Sequence, residues 1–80
     1  MTNMELKAAV VEGLRRVAPE SDPASLPTDQ PVREALGIDS YDFLNFLVGL
    51  HKTLGVEVPE ADYGQLNTLD DIVRYLAPKV

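Results

Sequence analysis

A serine at the start of a well-marked helical segment is the residue of this sequence best suited to chemistry. Ser40 follows the tight turn Gly37-Ile38-Asp39 and precedes a run of apolar residues at helical spacing. At a helix start the hydroxyl faces solvent, and the backbone N–H groups and the helix dipole favour an attached negative group, phosphate especially. Ser40 is therefore a candidate acceptor for a phosphodiester. The alternative is that it is simply a residue type favoured at helix starts.

Nucleophilic catalysis by Ser40 is excluded by the lack of a base within reach. The single histidine, His51, lies eleven residues along the same helix, which corresponds to about 16 Å at the helical rise. A serine nucleophile needs a base within hydrogen-bond distance, and no G-x-S-x-G elbow occurs in the chain. We interpret His51 as a solvated residue near the helix C-terminus and expect no enzymatic activity from the chain alone.

Metal binding is also not expected from the residue inventory. The chain has no cysteine and one histidine, so neither a disulfide framework nor a zinc site of the usual kinds can be assembled. Acidic residues cluster at Asp70-Asp71 and at Glu57, Glu60 and Asp62, but neither group has the spacing of a calcium loop. We interpret both clusters as solvated surface.

The length and charge of the chain restrict its fold and its partners. Eighty residues suffice for one domain, 1–80, with a single hydrophobic core. Thirteen Asp and Glu against seven Lys and Arg give a net charge of −6, which disfavours nucleic acid and anionic membranes as partners. Residues 19–51 contain six acidic residues and one basic residue, Arg33. This acidic segment indicates either a surface for basic protein partners or plain solubility.

The N-terminal sequence has neither the basic nor the apolar region of a signal peptide, and no apolar run reaches transmembrane length. We expect a cytoplasmic protein that is a monomer.

Apolar periodicity and capping residues predict an all-α fold, a small four-helix bundle with a long loop between its first two helices. The expected elements are a first helix over 1–18, a loop over 19–39, a second helix over 40–54, a short third helix over 59–66 and a fourth helix over 68–77. Within the loop, Pro31 to Leu36 could form one helical turn that ends at Gly37.

The helix expected over 40–54 has more apolar surface than one small core can bury. One arc of this helix faces the core and comprises Phe43, Phe46, Leu47, Leu50 and Leu54. Tyr41, Leu44 and Val48 extend this arc onto the flank. This extra strip predicts an exposed apolar ridge for a partner or a ligand, unless the helix is buried more broadly than expected.

The segment 34–42, Glu-Ala-Leu-Gly-Ile-Asp-Ser-Tyr-Asp, resembles the attachment motif of acyl carrier proteins, in which Leu-Gly precedes Asp-Ser. The later order of the chain is also similar, since Val58-Pro59 opens a short third helix and Thr68-Leu69 begins the fourth. The resemblance covers most of the chain and is best over 34–76.

This resemblance implies that Ser40 carries 4′-phosphopantetheine, transferred from coenzyme A by a separate, magnesium-dependent phosphopantetheinyl transferase. Acyl groups would be held as thioesters on the terminal thiol and passed between acyl-loading and acyl-using enzymes. Asp39 would cap the helix and help to orient the metal of the transferase. The partner-binding residues implied are Tyr41, Asp42, Leu44, Asn45 and Val48. The residues implied to form the core and to shelter an acyl chain are Phe43, Phe46, Leu47, Leu50, Leu54, Leu66, Leu69, Ile72 and Val73.

Some positions differ from the family pattern. Tyr41 replaces the usual leucine after the serine, and Asn45, His51 and Lys52 lie on a helix that is commonly rich in glutamate. We therefore expect docking to depend more on the apolar ridge than on charge. Bulk near any acyl tunnel favours a short or specialised acyl load, in fatty-acid, polyketide or other secondary metabolism. The alternatives are an aminoacyl or peptidyl carrier and an unmodified helical adaptor.

Overall fold

Four α-helices and three short 3₁₀ helices make up the protein in a computed structural model that describes residues 2–80. The α-helices are α1 (Asn3–Val17), α2 (Val32–Leu36), α3 (Ser40–Leu54) and α4 (Leu69–Leu76). The 3₁₀ helices are Pro23–Ser25, Glu60–Gln65 and Ala77–Lys79. No β-strand occurs between residues 2 and 80, and the predicted all-α fold is confirmed. Residue 1, which the first predicted helix included, lies outside the described residues.

Local capping residues determine where the helices begin. Thr2 and Glu5 form a capping box at the start of α1, in which each side chain accepts the other residue's backbone N–H. Thr68 and Asp71 form the same arrangement at the start of α4. These contacts satisfy N–H groups that have no acceptor within the helix itself.

The hydrophobic core lies between α1, α3 and α4. Its fully buried side chains include Leu6, Val10, Leu14, Phe46, Leu50, Leu69, Ile72 and Leu76. α1 and α3 approach closely at Gly13, where an added Cβ would lie 3.1 Å from Cε1 of Phe46. The Phe46 side chain therefore packs directly on the α1 backbone, in space that a side chain at position 13 would otherwise occupy.

The long connection between α1 and α3 is attached to the rest of the molecule at several points. The Val32 N–H donates to the Asn67 carbonyl at 2.9 Å, and the Asp70 N–H donates to the Thr28 carbonyl at 3.1 Å. Pro23 and Val32 are buried. The connection is therefore ordered against the start of α4, and α2 is held next to the start of α3.

Candidate functional site

Ser40 is the first residue of α3 and is exposed. The turn before it depends on Gly37, which ends α2 with φ of 68°, a left-handed conformation that suits glycine. Ile38 is buried and anchors the turn in the core. α3 therefore begins directly after this turn, and the Ser40 hydroxyl lies at the N-terminus of α3, which is the positive end of the helix dipole.

Asp39 is the N-cap of α3. Its Oδ1 accepts the Asp42 N–H at 2.8 Å, and its backbone carbonyl accepts the Phe43 N–H at 3.0 Å. Among residues 2–80 its other oxygen, Oδ2, accepts no hydrogen bond. The carboxylate therefore fixes the start of the helix through one oxygen and leaves the second available beside Ser40.

Arg33 provides a contact to Ser40 that sequence analysis did not anticipate. Its Nη2 donates to the Ser40 Oγ at 2.8 Å, and its guanidinium carbon lies 5.7 Å from the centroid of the Phe43 ring. α2 and the Gly37 turn bring together these two residues, which are seven positions apart. The signal in the sequence was that Arg33 is the one basic residue of the acidic segment 19–51.

These donors suit a phosphate bonded to Ser40. Arg33 contacts the oxygen that would bear the phosphorus, and the first N–H groups of α3 have no acceptor within the helix. A guanidinium and a helix N-terminus both stabilise an anion. The arrangement can hold a phosphodiester at the surface without burying its charge.

An open groove at Ser40 and a second groove that adjoins it lie along one side of α3. The first has a volume of about 420 Å³ and is lined by Arg33, Ser40, Phe43, Leu44, Glu60, Tyr63, Gly64, Leu66 and Asn67. The second has a volume of about 370 Å³ and shares Leu44 and Tyr63 with the first. The second groove continues along α3 to His51 and Lys52. An extended group attached to Ser40 has room to lie along this side.

The outer wall of the first groove is the 3₁₀ helix Glu60–Gln65, which is fastened to α4. The Tyr75 hydroxyl donates to Asp62 Oδ2 at 2.6 Å. This hydrogen bond to a carboxylate raises the pKa of Tyr75. The wall is therefore held in place by a side-chain contact between residues thirteen positions apart.

The predicted ridge is exposed in the structure. Tyr41 is 72% exposed, and Leu44 and Val48 are each 45% exposed. Asn45 is exposed beside them, and Asp42 is half-buried in the first turn of α3. The apolar strip on the flank of α3 therefore faces outward and is not covered by the core.

The residues predicted to shelter an acyl chain do not all line one cavity. Phe43, Phe46, Leu47, Leu50, Leu66, Leu69 and Ile72 are buried, while Leu54 and Val73 are partly buried. Phe43 and Leu66 reach the first groove and Leu47 the second, whereas Phe46 is 1% exposed. Leu69 and Val73 line a depression of about 650 Å³ between the start of α1 and α4, which does not include Ser40.

Residues 2–80 contain neither a helix that could span a membrane nor a group of three potential metal ligands. None of the helices there is both long enough and apolar enough to span a membrane. Within the same residues, no three His, Cys, Asp or Glu side chains are grouped so that they could hold a metal ion.

Comparisons with known proteins agree with this geometry. The family described as the phosphopantetheine attachment site matches residues 6–76. The acyl carrier protein of Campylobacter concisus (strain 13826) is 31% identical over 71 residues, covering 85% of this chain and 92% of that protein. The acyl carrier proteins of Campylobacter hominis and Campylobacter fetus are each 32% identical over 72 residues, covering 90% of this chain and 85% and 87% of those proteins.

Proposed function

The chain belongs to the acyl carrier protein family, with 4′-phosphopantetheine as its covalent prosthetic group, and on this premise we propose that Ser40 is the attachment residue. The members of this family are carriers and not enzymes. The observation that carries the proposal is the exposed Ser40 hydroxyl at the start of α3, next to the cap formed by Asp39. It lies within the matched segment 6–76.

Attachment of phosphopantetheine to Ser40 requires a phosphopantetheinyl transferase. The Ser40 Oγ attacks the pyrophosphate phosphorus of coenzyme A that bears the pantetheine arm, and an Oγ–P bond forms. The bond from that phosphorus to the adenosine bisphosphate breaks, and the hydroxyl proton passes to a base of the transferase. The free Oδ2 of Asp39 supports a role in orienting the metal ion of the transferase.

When bound, the prosthetic group supplies a terminal thiol on which acyl groups are held as thioesters. The chain has no cysteine of its own that could do this. A carrier of this kind requires partner enzymes that transfer acyl groups onto the thiol and others that use the bound acyl group. The side chains along the grooves, Phe43 and Leu44 in particular, offer apolar contact to the arm.

We place the docking surface for these partner enzymes on the exposed ridge of Tyr41, Leu44 and Val48, with Asp42 and Asn45 at its side. Supporting this, these side chains form an apolar strip next to Ser40 on one helix. Apolar groups at the centre of an interface contribute most of the binding free energy, while charges at the rim mainly affect association rates. Docking on this chain therefore depends on the ridge.

For the acyl load we propose a short or specialised group, as used in specialised fatty-acid, polyketide or other secondary metabolism. Phe46 is 1% exposed and packs at Gly13, and the cavity that remains between α1 and α3 beside Gly13 has a volume of only about 100 Å³. A long chain entering the core would have to displace packed side chains, which is costly. An aminoacyl or peptidyl load is the alternative, and it differs only in what the thiol carries.

Mass spectrometry tests the attachment residue. The purified chain is incubated with coenzyme A and a promiscuous phosphopantetheinyl transferase, and the intact mass and the tryptic peptides are measured. We expect one phosphopantetheinyl addition, mapped to the peptide that contains Ser40, and none in Ser40→Ala. The matched control is Ser25→Ala, which removes an exposed serine of the 3₁₀ helix Pro23–Ser25 and should be fully modified. A chain that stays unmodified would instead be a helical adaptor.

A further inference from the structure

Arg33 contacts the Ser40 Oγ, the oxygen to which the prosthetic group would be bonded. We propose that Arg33 is a phosphate-binding residue whose guanidinium holds the phosphodiester on Ser40 after loading and thereby restricts the start of the arm. This inference rests on the proposed attachment at Ser40. It concerns a residue of α2 that neither the sequence motif nor the family match assigns.

The Arg33 and Ser40 side chains are already in contact in the unmodified protein. Nη2 of Arg33 lies 2.8 Å from Oγ of Ser40, and the phosphorus of a phosphodiester is bonded directly to that Oγ. The two non-bridging oxygens, which share the single negative charge of the phosphodiester, then lie one bond further, within the range of a guanidinium that already contacts Oγ. The planar guanidinium can donate two parallel N–H bonds to such a group.

The charge of Arg33 has no acidic partner among residues 2–80. The ion pairs within residues 2–80 are Arg15–Glu12 and Arg74–Asp71, and neither includes Arg33. Glu60 lines the same groove, yet the guanidinium hydrogen-bonds to the Ser40 hydroxyl. The cation is therefore available to an anion that arrives at Ser40.

The Phe43 ring orients the Arg33 guanidinium. The guanidinium carbon lies 5.7 Å from the centre of the Phe43 ring, and Phe43 is buried in the first turns of α3. A cation placed over an aromatic face is stabilised by the ring. Phe43 therefore keeps the guanidinium at the start of α3, so that less freedom is lost when it binds phosphate.

The test compares the unmodified and the loaded protein in wild type, Arg33→Gln and Arg16→Gln. Arg16 is the matched control because it is also an exposed arginine, but it lies near Gly49 and Thr53 in the C-terminal half of α3. Each protein is loaded to completion, verified by mass, and unfolded in urea before and after loading. The quantity measured is the shift of the urea midpoint caused by loading, which isolates the coupling between residue 33 and the phosphate.

We expect loading to raise the midpoint of wild type and of Arg16→Gln equally, and to raise that of Arg33→Gln by half as much or less. The difference should shrink in about 1 M NaCl, where the screening length is about 3 Å. In the nitrogen NMR spectrum, the Arg33 side-chain N–H resonance should shift on loading, and the phosphorus resonance should differ between wild type and Arg33→Gln.

Two results would contradict two different proposals. If no protein acquires the prosthetic group at Ser40, the proposed function fails. If all three load but their midpoint shifts agree, and the phosphorus resonance is the same in wild type and Arg33→Gln, then Arg33 does not bind the phosphate and this inference is overturned.

Discussion

The Tyr75 hydroxyl donates a 2.6 Å hydrogen bond to the Asp62 carboxylate and so joins α4 to the 3₁₀ helix Glu60–Gln65. That 3₁₀ helix is the outer wall of the groove beside Ser40. A contact on α4 therefore controls the position of a surface that faces the proposed attachment residue.

Replacing Tyr75 with phenylalanine should loosen the groove wall. The ring stays, but Asp62 loses the hydroxyl donor, so we expect a lower urea midpoint and faster amide hydrogen exchange in Glu60–Gln65 than in the rest of the chain. Tyr41→Phe is the matched control, since the Tyr41 side chain is largely exposed. Equal exchange rates in wild type and Tyr75→Phe would contradict this role.

The same hydrogen bond predicts a pH dependence at the alkaline end. The pKa of Tyr75 is raised in the folded state, so the folded protein holds this proton more tightly than the unfolded chain. The stabilisation that this hydrogen bond provides is complete below the pKa of tyrosine in the unfolded chain, about 10. It is lost as pH rises through the higher pKa that Tyr75 has in the folded protein. The difference in urea midpoint between wild type and Tyr75→Phe should therefore be constant near neutral pH and decrease at alkaline pH.

Two glycines in helix interiors should respond oppositely to the same substitution. A Cβ on Gly49 meets no atom within 4 Å, so Gly49→Ala should stabilise the protein by about 1 kcal/mol through helix propensity. A Cβ on Gly13 would lie 3.1 Å from Phe46, whose ring is buried and packs against Phe43. Overpacking of this kind costs about 1–3 kcal/mol, so Gly13→Ala should destabilise by about 1 kcal/mol net. Urea unfolding of both variants checks the contrast. A stabilised Gly13→Ala would show that Phe46 can shift freely.

Much of the fold was accessible from the sequence because its signals are local. Thr2, Asp39 and Thr68 are short polar residues placed before apolar periodic runs, and each caps a helix in the structure. Gly13 was different. Propensity alone describes it as a modest liability, and only the tertiary contact with Phe46 explains why a small residue fits there.

The candidate site could be predicted only in part, because some of its contacts join residues that are not close in sequence. The local sequence around Ser40 identifies the helix start, but the contact from Arg33 depends on how α2 and the Gly37 turn place the guanidinium. The grooves depend on the packing of Glu60–Gln65 against α3, which no spacing rule specifies. Leu47 and Leu69 were both expected to form the core and to shelter an acyl chain, but in the structure they line different cavities.

The capping box of α4 predicts a second pH dependence, at the acid end. The Thr68 N–H donates to Asp71 Oδ2, and this bond is the main cause that lowers the pKa of Asp71, assisted by Arg74. A lowered folded pKa means that the stabilisation is present above the unfolded value of about 3.9 and is lost as pH falls through the folded value. The urea midpoints of wild type and Asp71→Asn should therefore differ at pH 6 and converge at strongly acidic pH.

The control for this pair is Asp29→Asn, which removes the same charge from an exposed position in the long connection. Its midpoint should follow that of wild type across the whole acid range. If Asp71→Asn and Asp29→Asn behave alike, the effect is one of net charge and not of the cap.

A charge placed on the exposed ridge should impair partner enzymes without affecting the fold. Val48 is 45% exposed at the end of the ridge farther from Ser40, so Val48→Glu should leave the urea midpoint nearly unchanged. In an apolar contact the added carboxylate would be desolvated, and we expect kcat/KM of an acyl-loading enzyme to fall about tenfold or more. Thr53→Glu adds the same charge on the polar side of α3 and should leave kcat/KM within about twofold of wild type. Each variant is first given its phosphopantetheine group. Steady-state assays of acyl transfer onto its thiol then measure kcat/KM for Val48→Glu and for Thr53→Glu. Equal rates for the two variants would mean that the partner docks on another face of the molecule.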